Sequence, residues 1–125
     1  MIKAQDIVES IADAFQFISY YHPKDFIDAV FTAYKKEQSL AAKDALAQIL
    51  TNSKLCAIGK RPICQDTGIA TIFVKIGHKC KFDFNNESLT DLLNEGVRLA
   101  YTNENNPLRA SVLADPASQR INTKD

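Results

Sequence analysis

The spacing of apolar residues changes once along this chain, and the change restricts the folds that the chain can adopt. In the first half, apolar side chains recur every three to four residues, as on one face of a helix; the first set is Ile7, Val8, Ile11, Ala12, Phe15 and Ile18. Over residues 70–76 every second side chain is apolar, which is the period of a strand with one buried face. A helical first half followed by strands predicts an α+β fold.

Breaks in the helical pattern divide the first half into three predicted helices. The first ends near Ser19, and Pro23 suits the first turn of the second. Ser39 can cap the third helix, which we expect to end near Gly59, just ahead of Pro62. All three helices precede the strand-like stretch.

The second half predicts a β-hairpin and one more helix. After a turn at residues 77–78, a return strand is indicated by the alternation of Cys80, Phe82 and Phe84. Ser88 followed by Asp91 resembles a capping box at a helix start. The predicted fold is therefore α+β, with a mostly helical amino-terminal half followed by a β-hairpin and a further helix.

Charge and hydropathy argue against several classes of function. The 15 basic residues balance the 15 acidic ones, so no net field attracts nucleic acid or an anionic membrane surface. No stretch approaches the ~20 apolar residues of a membrane span. Lys3, Gln5 and Asp6 stand where a signal peptide would need an apolar run. We therefore predict a cytoplasmic protein that binds neither nucleic acid nor membrane.

Chemically reactive side chains are concentrated at residues 64–68. A thiol, an amide, a carboxylate, a hydroxyl and a glycine follow one another there: Cys64, Gln65, Asp66, Thr67 and Gly68. Pro62 and Gly68 can hold this segment as a fixed loop, and loops on rigid scaffolds commonly carry binding residues. The segment is suited to a metal or to an anionic substrate.

Four separated blocks of the sequence resemble one family. Residues 61–68, Arg-Pro-Ile-Cys-Gln-Asp-Thr-Gly, look like the signature of the iron–sulfur-dependent class I fumarate hydratases and their relatives, the L-tartrate dehydratases. Residues 14–23 resemble that family's amino-terminal helix and turn, residues 41–53 its next helix, and residues 106–112 a later substrate-contacting turn. The resemblance covers essentially the whole chain. It implies that residues 1–125 are the amino-terminal part of a larger hydro-lyase catalytic domain.

The resemblance also implies roles for four residues. Cys64 would be a ligand of a [4Fe-4S] cluster whose two other cysteine ligands lie outside this chain, with one iron open to substrate as a Lewis acid. Gln65 and Asp66 would contact a four-carbon dicarboxylate, and Asp66 would take part in proton transfer. Arg109 would bind a substrate carboxylate through its planar guanidinium fork.

The remaining cysteines, histidines and Arg61 are interpreted as structural or surface residues. Cys56 and Cys80 are expected to be small buried side chains. His22 is expected to cap or pack against a helix start, and His78 to be solvated. Arg61 would stabilise the loop or bias the local potential toward anions.

The expected function is the reversible hydration of fumarate to (S)-malate. The resemblance implies that the complete enzyme is a homodimer. The enzyme is also expected to need the remainder of the polypeptide or a second subunit, because one thiolate cannot hold a cluster. L-Tartrate dehydratase is the alternative within the family. Outside it stand a truncated, non-catalytic interaction module and a redox sensor that uses Cys64, with Cys56 or Cys80 as the resolving cysteine.

Overall fold

A computed structural model of the chain describes residues 1–64, 69–104 and 108. Within these residues there are four helices: α1 (Ala4–Tyr20), α2 (Lys24–Lys36), α3 (Leu40–Gly59) and α4 (Leu89–Thr102). Two short strands, β1 (Ile2–Lys3) and β2 (Phe82–Asp83), complete the order. The prediction of a mostly helical α+β fold is confirmed. None of the helices in the described ranges is long and apolar enough to cross a membrane.

The helix boundaries follow local sequence signals. Pro23 immediately precedes α2 with φ of −64°, the value to which its ring restricts it. At the start of α3 the Ser39 hydroxyl accepts a hydrogen bond from the Ala42 N–H at 3.4 Å, and at the start of α4 the Ser88 hydroxyl accepts one from the Asp91 N–H at 3.1 Å. The predicted end of the third helix near Gly59 is confirmed, and Lys60 then takes the left-handed conformation with φ of 47°.

The prediction of a β-hairpin is wrong. The turn itself forms, because the Cys80 N–H donates to the Gly77 carbonyl at 2.9 Å. However, residues 69–76 are not in a strand, and β2 instead pairs in parallel with β1, Ile2 opposite Phe82. Alternating apolar residues make a strand only where a neighbouring backbone supplies hydrogen-bond partners, and here the return segment pairs with the start of the chain.

The described residues divide into two compact units, of which unit 1 comprises Met1–Gln16 and Cys64–Asp125. Its core is apolar: Ala4, Val8 and Leu92 are buried together. Gly96 lies against α1 so closely that a Cβ there would be 2.6 Å from Ile11 Cβ. The absence of a side chain at residue 96 therefore lets α4 pack tightly against the first part of α1.

Unit 2 comprises Phe17–Ile63, with α2 and α3 as its main elements. No residue of α2 is buried, and the buried residues of α3 are Ser53 and Cys56. The Ser53 hydroxyl lies 3.0 Å from His22 Nδ1, so one of these buried polar residues is hydrogen-bonded within the unit. Buried residues of unit 2 therefore make polar contacts, whereas the core cluster of unit 1 is apolar.

Candidate functional site

Residues 60–63, the entry segment, lead from α3 into the reactive motif. The Arg61 N–H donates to the Cys56 carbonyl at 3.1 Å, which continues the turn that closes α3. The Ile63 N–H donates to the Ser19 carbonyl at 2.9 Å, and the Asn52 side-chain amide donates to the Ile63 carbonyl at 3.1 Å. The backbone just before Cys64 is therefore hydrogen-bonded to both α1 and α3.

The three cysteines differ in their surroundings. Cys64 is exposed, and Cys56 is buried as expected for a structural cysteine. The Cys56 Sγ lies 3.5 Å from both Asn52 Oδ1 and the Pro62 carbonyl oxygen. Cys80 was expected to be buried in the return strand but is exposed, because that strand does not form as predicted.

Of the four predicted site residues, only Cys64 lies within the described part of the chain. Gln65, Asp66 and Arg109 lie outside it, so their substrate-binding and proton-transfer roles stay predictions. Of the four predicted site residues, the described structure therefore gives information on Cys64 alone.

The two histidines have the structural surroundings that the sequence indicated. The His22 ring stacks on Phe26, with ring centroids 4.4 Å apart, and its Nδ1 contacts the Ser53 hydroxyl. Such a ring packs the start of α2. His78 lies in the turn after residue 77 and is exposed, as predicted.

Among the described residues, unit 1 has an apolar groove of about 410 Å³. It is lined chiefly by aliphatic and aromatic side chains, among them Ile7, Ile11, Ile72, Phe73, Leu89 and Leu93. Asp6, Ser10 and Lys75 are its polar members. Phe73 is 93% exposed, so this groove is an open surface and not a closed substrate pocket.

The residues present fit one ligand position of an iron–sulfur cluster. Cys64 offers a solvent-accessible thiol, the soft donor that such clusters require. Within residues 1–64, 69–104 and 108, no group of three or more His, Cys, Asp or Glu side chains could hold a metal ion. A complete ligand set would therefore need donors from elsewhere.

Comparison with known proteins agrees with the motif. The sequence model of the family described as fumarate hydratase (Fumerase) matches residues 8–125. The chain belongs to this family. A putative L(+)-tartrate dehydratase subunit alpha from Methanocaldococcus jannaschii is 34% identical over an alignment of 115 residues that covers 90% of this chain. The chain spans 37% of the length of that relative.

These matches place the chain in a family of hydro-lyase enzymes. Sequence reasoning identified the motif at residues 64–68 but gave no role to Asn52, which holds the carbonyl of Ile63. The available signal was its spacing, because Asn52 and Cys56 are four residues apart and therefore on one face of α3.

Proposed function

We propose that this chain is part of a hydro-lyase that reversibly hydrates fumarate to (S)-malate. The family match over residues 8–125 supports the reaction class. The observation that carries the proposal is the exposed thiol of Cys64, which directly follows a hydrogen-bonded entry segment and begins the motif that resembles the family signature. Activity would belong to the complete enzyme, since the chain spans 37% of its relative.

Cys64 would hold a [4Fe-4S] cluster together with two cysteines from outside this chain. A bound cluster would supply a Lewis acid that polarises a substrate oxygen. The contribution of Cys64 is a thiolate ligand on a peptide whose direction is set by α1 and α3. The exposure of its side chain is consistent with this role.

Substrate binding would fall to three further residues of the motif and the later turn. Gln65 would orient one end of the dicarboxylate as a hydrogen-bond donor. Arg109 would pair with a carboxylate through two parallel N–H groups, a geometry that lysine does not reproduce. Asp66 would hold or move the proton that is exchanged at the substrate carbon.

The ligand role of Cys64 can be tested against a matched cysteine. Cys64 and Cys80 are both exposed, so both accept substitution by serine without loss of core packing. In the anaerobically purified native enzyme, we expect Cys64→Ser to lose the iron, the visible absorbance of the cluster and the hydratase activity, while Cys80→Ser keeps all three. Full iron content in Cys64→Ser would remove the residue from the ligand set.

A second candidate reaction is the dehydration of L-tartrate, favoured by the 34% identity to the tartrate dehydratase subunit. Fumarate, malate and tartrate are all four-carbon dicarboxylates, so the same carboxylate contacts suit each. Steady-state turnover of the native enzyme with malate and with L-tartrate decides between them. A kcat/KM higher for tartrate would replace the fumarate assignment. Turnover of neither would favour the non-catalytic interaction module.

The apolar groove of unit 1 would be covered by the part of the hydro-lyase that its relatives carry outside the matched region. The match covers 37% of the relative's length, which leaves a large further segment in that protein. Large exposed apolar patches mark interaction surfaces, and residues 72–76 line the groove without belonging to a helix or strand. The homodimeric state and the cytoplasmic location of the complete enzyme stay predictions.

Hydrogen exchange tests directly whether the further segment of the enzyme covers the apolar groove. Amides of residues 69–76 should exchange rapidly in this chain alone and slowly in the native enzyme, where the further segment is present. Equal exchange rates in both would contradict the proposal. Protection that rises with the concentration of the isolated chain would assign the groove to a second copy instead.

A further inference from the structure

We propose that Asn52 and Cys56 are positioning residues that hold the entry segment and thereby set the direction of Cys64. The inference rests on the proposed role of Cys64 as a cluster ligand. It concerns two side chains of α3, neither of which carries reactive chemistry of its own in the proposed mechanism.

Asn52 acts on the peptide unit that joins Ile63 to Cys64. Its side-chain nitrogen donates to the Ile63 carbonyl oxygen at 3.1 Å. Because a peptide unit is planar, holding its carbonyl oxygen also orients the N–H of Cys64. One hydrogen bond from α3 therefore restrains the peptide plane that ends at the Cys64 Cα.

Ile63 is also held through its backbone N–H, by a contact with α1. The Ile63 N–H donates to the carbonyl of Ser19, which belongs to the last turn of α1. Carbonyls in the last turn of a helix have no partner within the helix, so they are available to a neighbouring segment. With both its N–H and its carbonyl bonded, Ile63 has little freedom to rotate.

Cys56 contacts the entry segment through side chain and backbone together. Its Sγ lies 3.5 Å from both Asn52 Oδ1 and the Pro62 carbonyl oxygen, so its single S–H proton serves two acceptors. Its own carbonyl accepts the N–H groups of Lys60 and Arg61. Cys56 is buried, so these contacts are shielded from competing water.

The expected consequence is a more tightly held ligand. Residues that orient a metal ligand without touching the metal typically account for 10–100-fold in metal affinity. Loss of the Asn52 contact would leave the Ile63–Cys64 peptide without its bond to α3 and freer to rotate, so the thiolate would have to be reordered each time it binds iron. We therefore expect faster loss of iron without loss of the fold.

The test compares three variants in the native enzyme that contains this chain, purified anaerobically with its cluster. Asn52→Ala and Cys56→Ala should each release iron to a chelator roughly 10-fold faster than wild type. Gln48→Ala is the matched control, because Gln48 is an amide on the same helix whose hydrogen bond, 2.7 Å to Asp44, is local. It should release iron at the wild-type rate.

Serine at residue 56 adds a rescue test. Cys56→Ser keeps a hydrogen-bond donor at this position, so it should retain iron better than Cys56→Ala. Iron release at the wild-type rate in Asn52→Ala and Cys56→Ala would overturn the inference. So would an equal acceleration in Gln48→Ala, since that would indicate a general weakening of α3.

A second readout separates failure of this inference from failure of the proposed function. In the metal-free chain, the Ile63 amide should exchange with solvent several-fold faster in Asn52→Ala than in wild type or Gln48→Ala. An unchanged rate overturns the inference whether or not a cluster binds. If the wild-type enzyme takes up no cluster, the proposed function fails, and faster Ile63 exchange would still support the holding of the entry segment.

Discussion

Helix α4 of unit 1 and helix α3 of unit 2 bury different kinds of side chain. In unit 1, α1 and α4 contribute Ala4, Val8 and Leu92 to an apolar core. In unit 2, the buried residues of α3 are Ser53 and Cys56, and each makes a polar contact. Apolar burial is non-directional, whereas hydrogen bonds add little net stability but prescribe geometry. We therefore expect apolar burial in unit 1 to contribute more to stability, and the polar contacts of α3 to hold the entry segment within unit 2.

Matched substitutions in the two units test this contrast, and the largest expected effect is at Leu92. This side chain is 2% exposed, so Leu92→Ala should lower the free energy of unfolding by about 2–5 kcal/mol through lost burial and a cavity. Leu55 in unit 2 is 61% exposed, and Leu55→Ala should cost less than about 0.5 kcal/mol. Urea unfolding of the chain measures both. Similar losses at the two positions would contradict the contrast.

A second pair uses the glycines of α4 and α3. Gly96→Ala would place a Cβ 2.6 Å from Ile11 Cβ and 2.8 Å from the Val8 carbonyl oxygen, so it should destabilise unit 1 by about 1–3 kcal/mol. At Gly59 the nearest atoms are those of the Arg61 side chain at 3.6 Å or more, so Gly59→Ala should be neutral or slightly stabilising. Thermal unfolding compares the two. A stable Gly96→Ala variant would show that α4 can move away from α1.

The helix caps give a third pair with smaller effects. Ser88 accepts from the Asp91 N–H at 3.1 Å and donates to the Asp91 carboxylate at 2.6 Å, and its replacement by alanine should cost about 1 kcal/mol. The Ser39 contact is longer, at 3.4 Å, so Ser39→Ala should cost roughly half as much. Urea midpoints at constant slope report both values. A larger loss at Ser39 would reverse the expected order.

Substitutions in two ion pairs should have the smallest effects on the free energy of unfolding. A hydrogen bond from Arg98 lowers the pKa of Glu95, with burial opposing it, so the pair should stabilise the fold above the ordinary glutamate pKa and lose this contribution as the pH falls through the lowered value. Glu95→Gln should cost about 0.3–0.5 kcal/mol at neutral pH. The Lys24–Asp28 pair has side chains 87% and 62% exposed, and Asp28→Asn should change nothing measurable.

Unfolding titrations of wild type and Glu95→Gln from pH 7 to pH 3 check the sign of that dependence. The difference in stability between the two should shrink toward acid. A difference that grows toward acid would mean that Glu95 is not stabilised in its charged form.

Helix positions were predictable because their signals are local. Ser39 and Ser88 bond amides three residues ahead, and Gly59 lies next to the left-handed residue that ends α3. The hairpin could not be predicted correctly for the opposite reason. Strand pairing joins Ile2 to Phe82, from distant parts of the chain, and no pattern confined to residues 70–84 contains that choice.

The candidate site also combines features that were predictable from local sequence with features that only the tertiary structure showed. The motif at residues 61–68, together with three other blocks of the sequence, indicated the family, which the match over residues 8–125 then showed. It placed the reactive thiol at Cys64, and the structure adds that this thiol is exposed. The role of Asn52 was not visible in the motif, because its amide meets Ile63 only once the chain has turned back past Lys60.

By itself, the sequence determined the family, the four helices and the identity of the proposed ligand, since each depends on residue type and short-range spacing. Tertiary structure decided which backbone pairs with Phe82, which of the three cysteines is buried, and how the peptide before Cys64 is held. Those outcomes depend on contacts between residues far apart in the chain, whose free energies are realised only when the elements pack together.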